Sequence, residues 1–142
     1  MTMYIIIALV VVLYLIAVVL PKFLDKEGKG LHQAVQGLID EYFLAHTDSD
    51  IEKKRLRFHR LTIATDRVMG KVLQHYGIFD KSVKQQLRQA LERNVVTYDQ
   101  FSLLKRFHHM RNEVVHEGLQ VYGDNEQLVY NALHIVKQLL GR

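Results

Sequence analysis

The chain has 142 residues, no cysteine and a formal net charge of +4 at pH 7. That length makes one compact domain the expectation, and the lack of cysteine excludes disulfides and thiolate metal sites. A single proline, Pro21, and few glycines suit an all-helical protein with short connections. The modest positive balance is compatible with nucleic acid or anionic lipid partners and selects neither.

The first element is "YIIIALVVVLYLIAVVL", residues 4–20, seventeen residues without a charge. A bilayer core needs about 20 apolar residues, with about 17 as the lower end. A cleaved signal peptide would carry a basic segment before the apolar run and an A-x-A-like site after it. Neither is present, so a retained anchor over residues 1–21 is expected. Every charged side chain lies after Pro21, and Lys22, Lys26 and Lys29 come directly after the run. The positive-inside rule then places the C-terminal domain in the cytoplasm, making this a single-pass protein of the inner membrane. One apolar span has no polar lining, which speaks against a transporter or channel.

Residues 22–30 read as a juxtamembrane hinge, because "DKEGKG" is polar and contains two glycines. Residues 31–142 read as one all-α domain. Five helices are expected, over Leu31–Ala45, Asp50–Tyr76, Lys81–Arg93, Tyr98–His116 and Asn125–Leu140. Ser49 with Glu52 and Thr97 with Gln100 have the capping-box spacing, and Asp124 with Gln127 is a looser version. Gly77 and Gly118 suit the left-handed position after a helix end. Leu61, Ala64, Val68 and Val72 form one stripe, and Leu128, Ala132, Ile135, Val136 and Leu139 another, as in a helix bundle.

The fourth of these helices, "TYDQFSLLKRFHHMRNEVVHEG", carries the most information. On a helical wheel Phe101, Leu103, Leu104, Phe107, Met110, Val114 and Val115 share one half. Lys105, Arg106, His109 and Glu113 occupy the other. Arg111 falls near the middle of the apolar half, His108 towards its edge, and Asn112 and His116 just beyond that edge. A buried arginine is rare unless it is paired. Either it pairs with a carboxylate on another helix or snorkels to water, or the stripe meets a partner surface where a cation is wanted. His116 lies about 140° from Arg111 on an ideal helix, at the end where Gly118 lets the chain turn.

"RNEVVHEG", Arg111–Gly118, comes after an amphipathic helix and precedes a short loop and a final helix. In this the chain resembles the HEPN superfamily, all-α domains of four or five helices with an R-x(4–6)-H motif. Arg111, Asn112 and His116 match, with four residues between arginine and histidine, and the resemblance covers residues 31–140. It implies metal-independent endoribonuclease chemistry in a homodimer, without a cofactor, where motifs of two subunits meet in one cleft. The helix 98–116 face would form that dimer. His116 would take the RNA 2′-hydroxyl proton or protonate the leaving oxygen. Arg111 would stabilise the phosphorane, and Asn112 would bind phosphate or orient His116. The products would carry 2′,3′-cyclic phosphate ends. Stress-response or anti-phage settings, with an antitoxin or operon partner, accord with the family's habits. Some members carry a tyrosine two positions after the histidine, where this chain has Gly118. Other members are non-catalytic scaffolds that dimerise or bind partners or nucleotides.

Lys53, Arg57 and Arg60 share a face of the second helix, near Lys54 and Arg55. With His108 they are candidate RNA contacts. The same patch also reads as an anionic lipid contact or as an ordinary solvated face. His109, Glu113 and His116 have i, i+4, i+7 spacing, which suits zinc or plain solvation.

Overall fold

The computed structural model describes Thr2–Gly141, the side chains of Leu24 and Asp25 excepted. The described residues are all-helical, with no strand. In chain order they form α1 (Thr2–Tyr14), a π-helical turn (Leu15–Val19), α2 (Leu20–Thr47), α3 (Ile51–His75), α4 (Val83–Glu92), α5 (Tyr98–Glu117) and α6 (Asp124–Leu140). The chain divides into two compact units, residues 1–30 and 31–142.

In the first unit the large apolar side chains are exposed, Ile5 at 59%, Val10 at 59% and Ile16 at 55% among them. This helix is long and apolar enough to cross a membrane. Residues 2–20 span about 28 Å at 1.5 Å per residue, close to a hydrocarbon core of about 30 Å. The π-helical turn ends at Val19, two residues before Pro21. Proline lacks an N–H and crowds the carbonyl four residues back, and a wider turn there accommodates it. Residues 22–30, expected as a hinge, are helical and belong to α2. Gly28 and Gly30 are each worth about 1 kcal/mol less than alanine inside a helix, too little to break it against strong formers on either side.

The second unit holds five helices: the C-terminal part of α2, then α3, α4, α5 and α6. Val35, Ile39, Tyr42 and Ala45 line one face of α2 and enter the core. From α3 the core takes Phe58, Leu61, Met69, Val72 and Leu73. The buried stripe is rotated from the expected one. Ala64 and Val68 are only half-buried, while Thr62, Thr65 and Asp66 are buried. On α6 the expected Ala132, Ile135, Val136 and Leu139 are buried. Leu104, Phe107 and Leu133 are fully buried, and each such side chain is worth about 1.5–3 kcal/mol.

Local signals set the helix ends. Thr97 and Gln100 form the expected capping box. Gly118 ends α5 at φ 68°, and Gly77 has φ 80°. Two other caps differ from expectation. Asp50, rather than Ser49, caps α3, accepting from the N–H groups of Glu52 and Lys53. Its carboxylate already reaches the second and third N–H groups, so Glu52 sits one position too early for a box. α6 begins at Asp124 with Gly123 as its cap, so Asp124 and Glu126 act through the helix dipole. α4 packs closely on α3 at Gly70, where an added Cβ would lie 3.4 Å from Oε1 of Gln86. The buried Gln86 amide donates to the carbonyls of Ile78 (3.1 Å) and Gly70 (3.4 Å), so the connection is pinned from inside.

Tyr42 is the one described group with a clear protonation signature. Burial raises its pKa above 10.0, helped by the charges of Glu126 and Tyr130. The fold therefore favours the neutral phenol. Below pH 10 folded and unfolded chains both hold this proton. Above it the unfolded chain loses the proton first, so stability falls as pH rises. Unfolding by circular dichroism between pH 8 and 11 should show a steeper alkaline loss for the native chain than for Tyr42→Phe.

Candidate functional site

α5 is fixed at both ends, by the Thr97–Gln100 box and by Gly118, and its apolar side is sunk into the core. Leu104, Phe107, Met110 and Val114 are all buried within the chain. Of the two readings of the apolar stripe, the subunit's own core uses most of it, so a contact through α5 is left its exposed positions, Val115 among them.

That burial brings His108 and Arg111 against α3 at Asp66. The Asp66 side chain is 6% exposed. Its Oδ1 lies 2.8 Å from Nδ1 of His108, and its Oδ2 lies 3.3 Å from Nε of Arg111. The carboxylate only accepts, so His108 presents an N–H at Nδ1. Asn112 closes the ring. Its Oδ1 accepts from Nη1 of Arg111 at 3.1 Å, and its amide lies 3.5 Å from Nε2 of His108. The Arg111 Nε–H is buried and not aimed at the carboxylate closely enough to count as a hydrogen bond. Its attraction to Asp66 is therefore Coulombic. At an effective dielectric of about 20, such a pair is worth about 5 kcal/mol before desolvation is subtracted.

Arg111 and Asn112 are thus brought together, with His108 as a third member. His116 stands apart. It is exposed and makes no hydrogen bond or ion pair among the described residues. Among the described residues no hydrogen bond or ion pair joins it to Arg111 or Asn112. Asp66 was not singled out from the sequence, although a signal existed. It interrupts the stripe of Leu61, Thr65 and Met69 on α3, as Arg111 interrupts that of α5, and two opposite charges misplaced on apolar faces call for each other.

The expected RNA-contact patch is largely self-neutralised. Arg57 pairs with Asp48 at 3.3 Å and Glu41 at 3.7 Å. Lys54 pairs with Glu126, and Arg55 with Glu52. Lys53 and Arg60 are exposed and unpaired among the described residues. Glu126 forms a second buried-carboxylate centre, held by Lys54 at 3.3 Å and His46 at 3.2 Å. His109 and Glu113 pair at 3.1 Å, but among the described residues no three His, Asp or Glu are placed to hold a metal ion.

Two cavities flank the Asp66 ring. One of about 260 Å³ lies between α4 and α5, with His108 and Asn112 on its wall. The other, about 520 Å³, is bounded by α3, α4 and the loop between them, with Asp66 and Arg111 on its wall. Comparison with family models, curated proteins and solved structures gives no match in any of the three.

Removing one member of the buried pair strands the other. Asp66→Ala should lower unfolding stability by about 3 kcal/mol, the low end for a broken buried pair because Arg111 is 29% exposed. The double replacement Asp66→Leu with Arg111→Met should recover most of that loss in denaturant titration. His116→Ala should change stability by less than about 0.5 kcal/mol.

Proposed function

We propose that this chain is a HEPN-like helical interaction module, tethered to a membrane by residues 4–20, with residues 31–142 on the cytoplasmic side. The observation that carries it is the Arg111–Asp66 pair inside one chain. A phosphate-stabilising arginine needs a guanidinium free to meet developing charge. Here one edge faces Asp66 and Nη1 donates to Asn112. The arginine of the motif is thereby used to hold α5 to α3. The exposed remainder of α5, with Tyr98, Arg106, Val115 and His116, is the surface offered to a second copy or another partner.

The second reading is a dimeric, metal-independent endoribonuclease. His116 favours it, because its imidazole is exposed and unbonded at the C-terminal end of α5 and so is free to meet a substrate. The full chain in neutral detergent, incubated with RNA in EDTA, separates the two. The expected result is no cleavage above the level of His116→Ala. Cleavage leaving 2′,3′-cyclic phosphate, lost in His116→Ala while stability is unchanged, would overturn the module reading in favour of the enzyme.

Topology has its own test. The chain has no cysteine, so single cysteines report cleanly. In intact cells Thr2→Cys should react with a membrane-impermeant maleimide, and Ser49→Cys should react only after lysis. The reverse pattern would place the helical domain outside.

A further inference from the structure

The cavity between α4 and α5 has a chemistry that neither the Asp66 ring nor the interaction reading explains. Lys84 and Arg88 reach it from α4, and Lys105 from α5. None of the three forms an ion pair among the described residues, and no aspartate or glutamate lines the cavity. The one polar interaction of this set is Lys105 over the Phe101 ring, at 5.9 Å. Of the other cations on the domain some are matched: Lys54, Arg55, Arg57 and Arg111 each have a carboxylate within 4 Å. Others, Lys53 and Arg60 among them, are not; what sets Lys84, Arg88 and Lys105 apart is that they line one cavity.

Lys84 and Arg88 are like charges at i, i+4, a spacing that destabilises a helix by a few tenths of a kcal/mol. Lys105 across the gap adds a third like charge, and among the described residues no carboxylate pairs with any of the three. The other wall is apolar, formed by the buried Leu87 and by the half-buried Phe101. Cations on one side and an apolar wall on the other fit a ligand with the same division. The volume, about 260 Å³, is below the usual range for drug-sized ligands, so the ligand is small.

We propose that Lys84, Arg88 and Lys105 seat a phosphomonoester dianion in this cavity, with the ligand's apolar body against Leu87 and Phe101. A dianion offers three acceptor oxygens to the three cations, and Arg88 can donate two parallel N–H groups to it. The seat is open to solvent, so its affinity falls with added salt. The phosphomonoester comes from a soluble compound or from a lipid headgroup; both present the same group to the same residues.

The test uses the full chain in neutral detergent, titrated with phenyl phosphate by calorimetry at low salt. Expected is one site with Kd below about 1 mM, with inorganic phosphate binding about tenfold more weakly for lack of an apolar body. Lys84→Gln with Arg88→Gln, and separately Lys105→Gln, should each weaken phenyl phosphate by about tenfold or more, the scale of a lost charge-assisted hydrogen bond. All three positions are exposed, and circular dichroism confirms the fold of each variant. Arg67→Gln, an exposed cation on α3 outside the cavity, should bind as the native chain does. A second arm places the chain in lipid nanodiscs with or without phosphatidic acid. Phenyl phosphate affinity that falls when phosphatidic acid is present assigns the seat to a lipid headgroup. Affinity that does not fall assigns it to a soluble compound. No binding of phenyl phosphate by the native chain, or equal binding by the cation variants, overturns the proposal.

Discussion

A carboxylate at the centre of a helix bundle sets what its neighbours must be. Asp66 occupies a position on α3 that would otherwise hold a hydrophobe, between Leu61, Met69 and the buried threonines. Leaving it ionised and unpaired would cost several kcal/mol, comparable to the net stability of a small domain. α5 answers with Arg111 and His108, three residues apart and hence on one face. This fixes the rotation of α5 about its axis and its register along α3, because a shift of one residue would remove both partners. Glu126 imposes a similar condition at the other end of the bundle, where α6 must meet Lys54 of α3 and His46 of α2. Hydrophobic burial supplies the stability, and the two carboxylates narrow the ways the apolar faces can be matched.

Local chemistry carried much of the helix pattern into the sequence. Thr97 with Gln100, Gly77 and Gly118 act within a few residues of themselves, so their spacing alone announces them. The failures are of another kind. Ser49 and Asp50 both have capping oxygens, and which one serves depends on how α2 hands the chain to α3. The glycines of residues 22–30 look like a hinge when counted, yet a helix with strong formers on both sides absorbs two of them. The α3 stripe is rotated because Asp66 and Thr65 belong inside and Ala64 does not, a preference visible only once α5 supplies the cation. Arg111 was legible as an anomaly. Its resolution was not, because the paired residue is 45 positions away and no local rule connects them.

The two units place their apolar side chains differently. From residue 31 onward the apolar side chains alternate with charge at helical spacing and find one another in a core. Residues 4–20 carry no charge, and all of them but the half-buried Val18 are exposed. A helix of that length and composition is apolar enough to cross a membrane, and each large side chain left in water forgoes about 1.5–3 kcal/mol. Confinement of all charge to the part after Pro21 is the same constraint seen from the other side.

The motif's two residues stand in opposite energetic positions, and that bears on what either can do. Arg111 is bound into the fold, so altering it changes stability and site together, and any loss of function in an Arg111 variant is ambiguous. His116 is exposed and unbonded, so altering it touches little but its own chemistry. A catalytic pair in which one member is structural would need its other members to arrive from elsewhere, and the chain supplies no convergent donor to His116 among the described residues. Three cations that no carboxylate restrains, Lys84, Arg88 and Lys105, do line one cavity. If the domain handles phosphate, the α4–α5 cavity gathers three of its unspent charges, one wall away from the arginine that the motif singles out.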